Sequence, residues 1–287
     1  MNKKAEEKLI LKELRKEIFL TSYRAGTGHI ASAYSCLEIL YALYIKGCLH
    51  NTPQTMQDKK RDKFILSKGH GSLALYCILA KAGFFSKDEL KKFAQPDSVL
   101  GGEPHKLEID GVEASTGSLG HGLSYGVGIA YADKLDGRKS RTYVLVGDGE
   151  CEEGSIWEAA MTAAKYNLEQ LIVILDCNKL QKMYSVEETI GIVEWENKWK
   201  AFGWDATCVP GHDVDALSQC ILGLPMRGKP HIIIADTVKG HGVSIMENNP
   251  IWHWKQPNRK ELRKIAEELE ITQEELEDAK SIYTSNV

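Results

Sequence analysis

The tripeptide Gly147-Asp148-Gly149 directly follows an apolar run, Tyr143–Val146, and opens an acidic stretch from Glu150 to Glu153. A second apolar run, Leu171–Leu175, ends in Asp176-Cys177-Asn178-Lys179-Leu180. If both runs are neighbouring strands, Asp148 and Asn178 sit on adjacent strand ends, where open α/β sheets bind their ligands. One carboxylate and one neutral amide oxygen suit a hard cation such as Mg2+, which takes few protein ligands and completes its shell with phosphate oxygens and water. The acidic run points the same way, because a free phosphate would be repelled there without a cation. A third segment, Gly117-Ser118-Leu119-Gly120-His121-Gly122, is a glycine-rich turn leading into a helix of small residues, where backbone can approach a ligand closely.

The histidines keep unusual company. Of nine, five lie beside glycine: His29, His70, His121, His212 and His241. His105 follows Pro104, and His253 stands between two tryptophans. An imidazole that titrates near neutrality, set on permissive backbone, is a natural ligand contact.

These residues need a scaffold, and the hydrophobic pattern describes one. Amphipathic or apolar helices are expected over residues 3–22, Ala33–Ile45, Ser72–Ala82, His121–Leu135 and Glu153–Tyr166. Between them fall short apolar runs: Phe64–Leu66, Tyr143–Val146, Leu171–Leu175 and His231–Ala235. Alternating strands and helices imply βαβ units, hence an α/β fold with a mostly parallel β-sheet flanked by helices on both faces. No repeat or flexible linker divides the chain, so residues 1–257 read as one α/β domain. Residues 258–287 read as a charged, helical C-terminal tail, a solvated surface helix with a capping box from Thr272 to Glu275.

Composition narrows the function classes. At 287 residues, 43% hydrophobic and 26% charged, the chain is globular rather than disordered. A net charge of −4 gives no reason to expect nucleic acid, and no apolar stretch is long enough to cross a membrane. The charged N-terminus is no signal peptide. Seven cysteines without a CxxC pair fit a reducing cytoplasm better than a disulfide framework or structural zinc.

The motifs together resemble the thiamine diphosphate enzymes, and within them the transketolase family. They are GTGHIASAYS (26–35), DKFILSKGHGSLALY (62–76), EASTGSLGHGLSYGVGIA (113–130), GDGECEEGSIWEAA (147–160), LDCNKLQ (175–181) and TVKGHGVSIMENNPIWHW (237–254). The last motif and the length resemble the N-terminal subunit of split, two-component transketolases. The resemblance implies the thiamine diphosphate-binding fold and ketol transfer, in which a two-carbon glycolaldehyde unit passes from a ketose (phosphate) to an aldose (phosphate). Asp148, Asn178 and the Leu180 carbonyl would hold Mg2+, with Ca2+ or Mn2+ able to substitute. His70, Gly117, Ser118, Leu119, Gly147, Asp148, Gly149, Glu153 and Asn178 would contact thiamine diphosphate. His29, His105 and His253 would line the substrate channel and serve proton transfers, and Glu153 would link cofactor sites at a subunit interface.

The expected partner is a C-terminal, pyrimidine-binding subunit in an α2β2 assembly. That half carries the family's glutamate that activates the cofactor and its aromatic clamp; nothing after residue 255 resembles it. The alternatives are another thiamine diphosphate enzyme (a 2-oxo acid dehydrogenase α subunit or a deoxyxylulose phosphate synthase) or a non-catalytic regulatory subunit. Three places depart from the family pattern: Ile30-Ala31, Trp254 after His253, and Gln181–Ser185 with Met183 and Tyr184.

Overall fold

Strands covered on both faces need apolar side chains in both directions, and the sheet is built from such runs. The computed structural model describes residues 3–106, 109–191 and 194–280. Its strands are β1 (Lys63–Leu66), β2 (Thr142–Gly147), β3 (Leu171–Cys177), β4 (Asp205–Pro210) and β5 (His231–Asp236). They form one sheet in the order β1-β2-β3-β5-β4, every neighbouring pair parallel. The β2–β3 register pairs Thr142 with Leu171 and Gly147 with Asp176. The carboxyl ends of these two strands therefore lie side by side.

The helices are α1 (Lys3–Ala25), α2 (Ile30–Ser35), α3 (Leu37–Tyr44), α4 (Ser72–Lys81), α5 (Gly122–Leu135), α6 (Gly154–Lys165), α7 (Val186–Thr189), α8 (Trp195–Ala201), α9 (Val214–Gly223), α10 (Arg259–Glu268) and α11 (Gln273–Asp278). Side chains alternate along each strand, and so do the two cores. Tyr143, Leu145, Ile172 and Ile174 enter a core shared with α1–α4 and α9. Val144, Val146, Val173 and Leu175 enter the other, against α5, α6 and α8. Burying one such aliphatic side chain is worth about 1.5–3 kcal/mol, so both layers are firmly anchored to the sheet.

Three features differ from expectation. The helix expected over Ala33–Ile45 is two, α2 and α3, broken at Cys36. β4 had no apolar run to announce it, because only Val209 of its residues is buried. The tail, described as far as residue 280 (281–287 lie outside the described residues), is not wholly solvated. Helix α10 buries Ile265, and the flanking Leu269, Ile271 and Ala279 enter the core shared with α1, whereas α11 buries none of its residues. Ion pairs Lys12–Glu270 (2.5 Å), Lys16–Glu275 (2.6 Å) and Arg24–Asp278 (3.0 Å) fasten this segment to α1. Among the described residues no helix is long and apolar enough to cross a membrane.

Candidate cofactor site

A cavity of about 300 Å³ opens where β2 and β3 end. Asp148 follows β2 and caps the short turn Gly149–Glu152; one carboxylate oxygen accepts from the Gly149 N–H at 2.8 Å. The other accepts from the Lys179 N–H, which a left-handed residue (φ +68° at Lys179) brings round after β3. The Asn178 side-chain oxygen accepts from the Leu180 N–H at 3.1 Å, closing the same turn. Each strand end thus shapes the other, and Asp148, Asn178 and Leu180 all contribute to the cavity wall at this junction.

The charges here do not balance by themselves. Lys68 and Asp176, both essentially inaccessible, are paired with each other. Asp176 also accepts from Ser35 and Thr237. Burial opposes the charge on each, but their mutual attraction wins: the Lys68 ammonium is held above its usual range and the Asp176 carboxyl below. Asp148, 2% exposed, forms no ion pair among the described residues, and the charge in its favour, Lys68, is paired with Asp176. Burial, then the nearby Asp176 charge, push its carboxyl up to about 7 despite the two N–H donors. An oxygen-only donor set around a carboxylate that lacks a countercharge fits a divalent cation.

Glu150 holds the surrounding loops. Its buried carboxylate accepts from the Ser67 hydroxyl at the end of β1, the Gly120 N–H (2.9 Å) and the Gly147 N–H (3.0 Å). This ties the glycine-rich turn to the strand ends, and Gly117 and Leu119 of that turn line the cavity. Gly120 has φ +85°, and a Cβ there would lie 2.7 Å from the Glu153 Cβ, so only glycine fits. Ser118 and Glu153 are exposed, Glu153 as the N-cap residue of α6, and neither is on the cavity wall.

Three imidazoles converge opposite the junction. The ring centres of His29, His70 and His253 are 5.2–5.7 Å apart. Lys239 donates to His253 Nδ1 (3.0 Å), to the Gln181 carbonyl (2.9 Å) and to the Leu180 carbonyl (3.4 Å). Because an ammonium only donates, Nδ1 of His253 is the acceptor and its proton sits on Nε2. Burial, followed by Lys239 and Lys68, lowers His29 to about 4; burial and Lys239 lower His253 to about 3. His70 is also depressed, mainly by burial, and Lys239 is lowered to about 8 by burial and Lys68. At neutral pH the three rings are uncharged hydrogen-bonding groups.

His105 is not in this group. It is exposed and absent from the cavity wall, and Glu103, two residues earlier, takes the wall position. The Pro104 carbonyl accepts from the Thr116 N–H (3.1 Å) and the Lys106 N–H donates to Ser115 Oγ (3.0 Å), pinning this strip beside the glycine turn. Of the other glycine-adjacent histidines, His212 and His241 are stacked with ring centres 3.7 Å apart, and neither lines the cavity. Together with Glu38 they bring ligand-type atoms within 4.8 Å. Both nitrogens of His212 are used, however: Nε2 accepts from the Val238 N–H (2.8 Å) and Nδ1 meets Glu38 (2.9 Å), which Arg15 also holds. That arrangement is a clamp on the loop carrying Lys239.

Lys68, Asp176, Lys239, Glu150 and Glu103 were not singled out from sequence. The available signal was a lysine or carboxylate set directly against an apolar strand, as in Leu66-Ser67-Lys68 and Leu175-Asp176, where burial demands a partner.

Residues 8–285 match the family model described as transketolase, thiamine diphosphate binding domain. The chain belongs to the transketolase family. It is 42% identical over 255 residues to one of the subunits of the apulose-4-phosphate transketolase of Actinobacillus succinogenes, covering 89% of this chain and 92% of that one. Human transketolase is 36% identical over 246 residues, 85% of this chain but only 39% of that one. The solved transketolase of Campylobacter jejuni superposes with a TM-score of 0.81 at 27% identity, covering 94% of this chain and 45% of that chain. The transketolase-family chain thus spans less than half of these longer enzymes and nearly all of a relative that is itself a subunit.

Proposed function

We propose that this chain is the diphosphate- and metal-binding subunit of a two-component transketolase, moving a two-carbon ketol unit from a ketose phosphate to an aldose phosphate. The observation that carries this reading is the oxygen set of Asp148, Asn178 and Leu180 around an uncompensated carboxylate, facing three neutral imidazoles in one cavity. Asp148, Asn178 and the Leu180 carbonyl would hold Mg2+ (or Ca2+ or Mn2+), and the cation would carry the diphosphate of thiamine diphosphate. His70, Gly117, Leu119, Gly147 and Gly149 would close round the cofactor, with Ser118 at the outer side of the same turn. When bound, thiamine diphosphate supplies the carbon nucleophile and electron sink for breaking and making a carbon–carbon bond beside a carbonyl.

The chain's own residues would then orient the sugar and manage protons. His29 and His253, neutral at working pH, can donate to a carbonyl or hydroxyl oxygen and take a proton back. Lys239 keeps His253 in one tautomer and braces the Leu180 carbonyl. The exposed His105 and Glu153 stand where a partner surface would reach them. Coverage supports a separate partner, since the chain matches 92% of the Actinobacillus succinogenes protein but 39% of human transketolase. The family resemblance makes that partner a pyrimidine-binding subunit in an α2β2 assembly. The seven cysteines are all free, in keeping with work in a reducing cytoplasm. The test is reconstitution. The purified chain should show almost no ketol transfer, and adding the partner subunit should bring it out; full turnover by the single chain would defeat the two-component reading.

A further inference from the structure

We propose that Glu103 is a specificity-determining residue of this cavity, its carboxylate selecting molecules that are uncharged beside the reacting carbon and turning away small carboxylates such as 2-oxo acids. The inference rests on the ketol-transfer reading for the kind of molecule that enters. Three observations carry it.

The first is placement. Glu103 shares the cavity wall with His29, His253 and Gly117, and its carboxylate lies directly over Gly117. A Cβ on Gly117 would fall 1.7 Å from the Glu103 Oε2. Gly117, with φ +145°, therefore leaves room for an acid side chain where any other residue would displace it.

The second is preorganisation. Ser72 Oγ donates to the Gly102 carbonyl at 2.6 Å, and the buried Tyr76 hydroxyl donates to the Glu103 carbonyl at 3.1 Å. The Thr116 N–H reaches the Pro104 carbonyl at 3.1 Å. The backbone of Glu103 and of both its neighbours is thus held by α4 on one side and the glycine turn on the other. Such fixing is what a recognition group requires.

The third is that the carboxylate has no partner. Among the described residues it forms no hydrogen bond and no ion pair. Lys68 is engaged by Asp176, and Lys239 by two carbonyls and His253. Lys182, the remaining lysine on the wall, is exposed and makes no ion pair with it. Glu103 is exposed in the chain on its own, and such burial as it has raises its carboxyl. An unpaired carboxylate on a cavity wall accepts from hydroxyl donors and repels a second anion brought beside it.

The experiment uses the assembled two-subunit complex loaded with Mg2+ and thiamine diphosphate, with calorimetry as readout. Its probes are glycolate and glycolamide, two small molecules of one shape that differ in charge. Glu103→Gln should tighten glycolate binding about tenfold, a change of about 1.4 kcal/mol, and leave glycolamide within about twofold. Glu103→Asp, which keeps the charge, should retain the wild-type discrimination. Equal effects on both probes, or none on glycolate, would overturn the proposal. Turnover with ketose and 2-oxo acid donors is measured separately. Discrimination that persists in a complex unable to transfer ketol units would reject the functional reading and leave the role of Glu103 standing.

Discussion

At Asp148 two backbone N–H groups favour the carboxylate, while burial and the Asp176 charge oppose it more strongly. A carboxyl held near 7 in the fold, against an ordinary value near 4, binds more protons folded than unfolded between those limits. Stability from this group is therefore present at low pH and is lost as pH rises toward about 7. Cation binding has the opposite slope, because it needs the deprotonated form. In the metal-free chain, the difference in unfolding free energy between Asp148→Asn and wild type should grow from pH 5 to pH 7 in favour of Asn. Added Mg2+ with thiamine diphosphate should reverse it; a pH-independent difference would refute the uncompensated carboxylate. The placement of Asp148 and Asn178 at adjacent strand ends was legible because each follows an apolar strand in a short motif. The Lys68–Asp176 pair was not, since its members are 108 residues apart and only the β1-β2-β3 order brings them together. The exchange of His105 for Glu103 at the wall depends on where one loop turns, which residue type alone does not report.

Along α5 the same residue type does opposite things at two positions. A Cβ on Gly126 would come 2.4 Å from the Val144 Cγ2 on β2, whereas nothing lies within 4 Å of one on Gly128. Gly126→Ala should therefore destabilise the protein by about 1–3 kcal/mol in urea unfolding through overpacking. Gly128→Ala should stabilise it by about 0.5–1 kcal/mol by removing a mid-helix glycine. Equal shifts for the two would mean that α5 does not pack on the sheet through Gly126. The small residues of this helix were readable as a sign of close packing, but not which of them faced the sheet. β4 escaped a reading based on apolar runs because it is largely uncovered, unlike the other edge strand, β1, whose Phe64–Leu66 are buried. The four strands buried on both faces were legible for the converse reason.

Over the whole molecule, the chain is a five-stranded parallel sheet with helices on both faces, packed at α1 by the C-terminal segment that pattern alone rendered as a charged tail. Their charge is real, but Ile265 is fully buried in the core that α1 helps to build. Ile265→Ala should lower stability by about 2–5 kcal/mol, and a loss under about 0.5 kcal/mol would show that α10 is not part of the core. The extent of the match to its relatives sharpens the functional reading. The fold spans 92% of the Actinobacillus succinogenes relative and 45% of the Campylobacter jejuni transketolase. Its cavity is lined by Asp148, Asn178 and Leu180 and by three neutral imidazoles, and in the proposed reading the cofactor's other end falls to a partner. The measurement that tests this most directly is calorimetric binding of thiamine diphosphate to the assembled complex, with and without Mg2+. Wild type should bind only when Mg2+ is present, and Asp148→Ala should lose that dependence together with the affinity. Binding by Asp148→Ala that remains tight and responsive to Mg2+ would contradict the account.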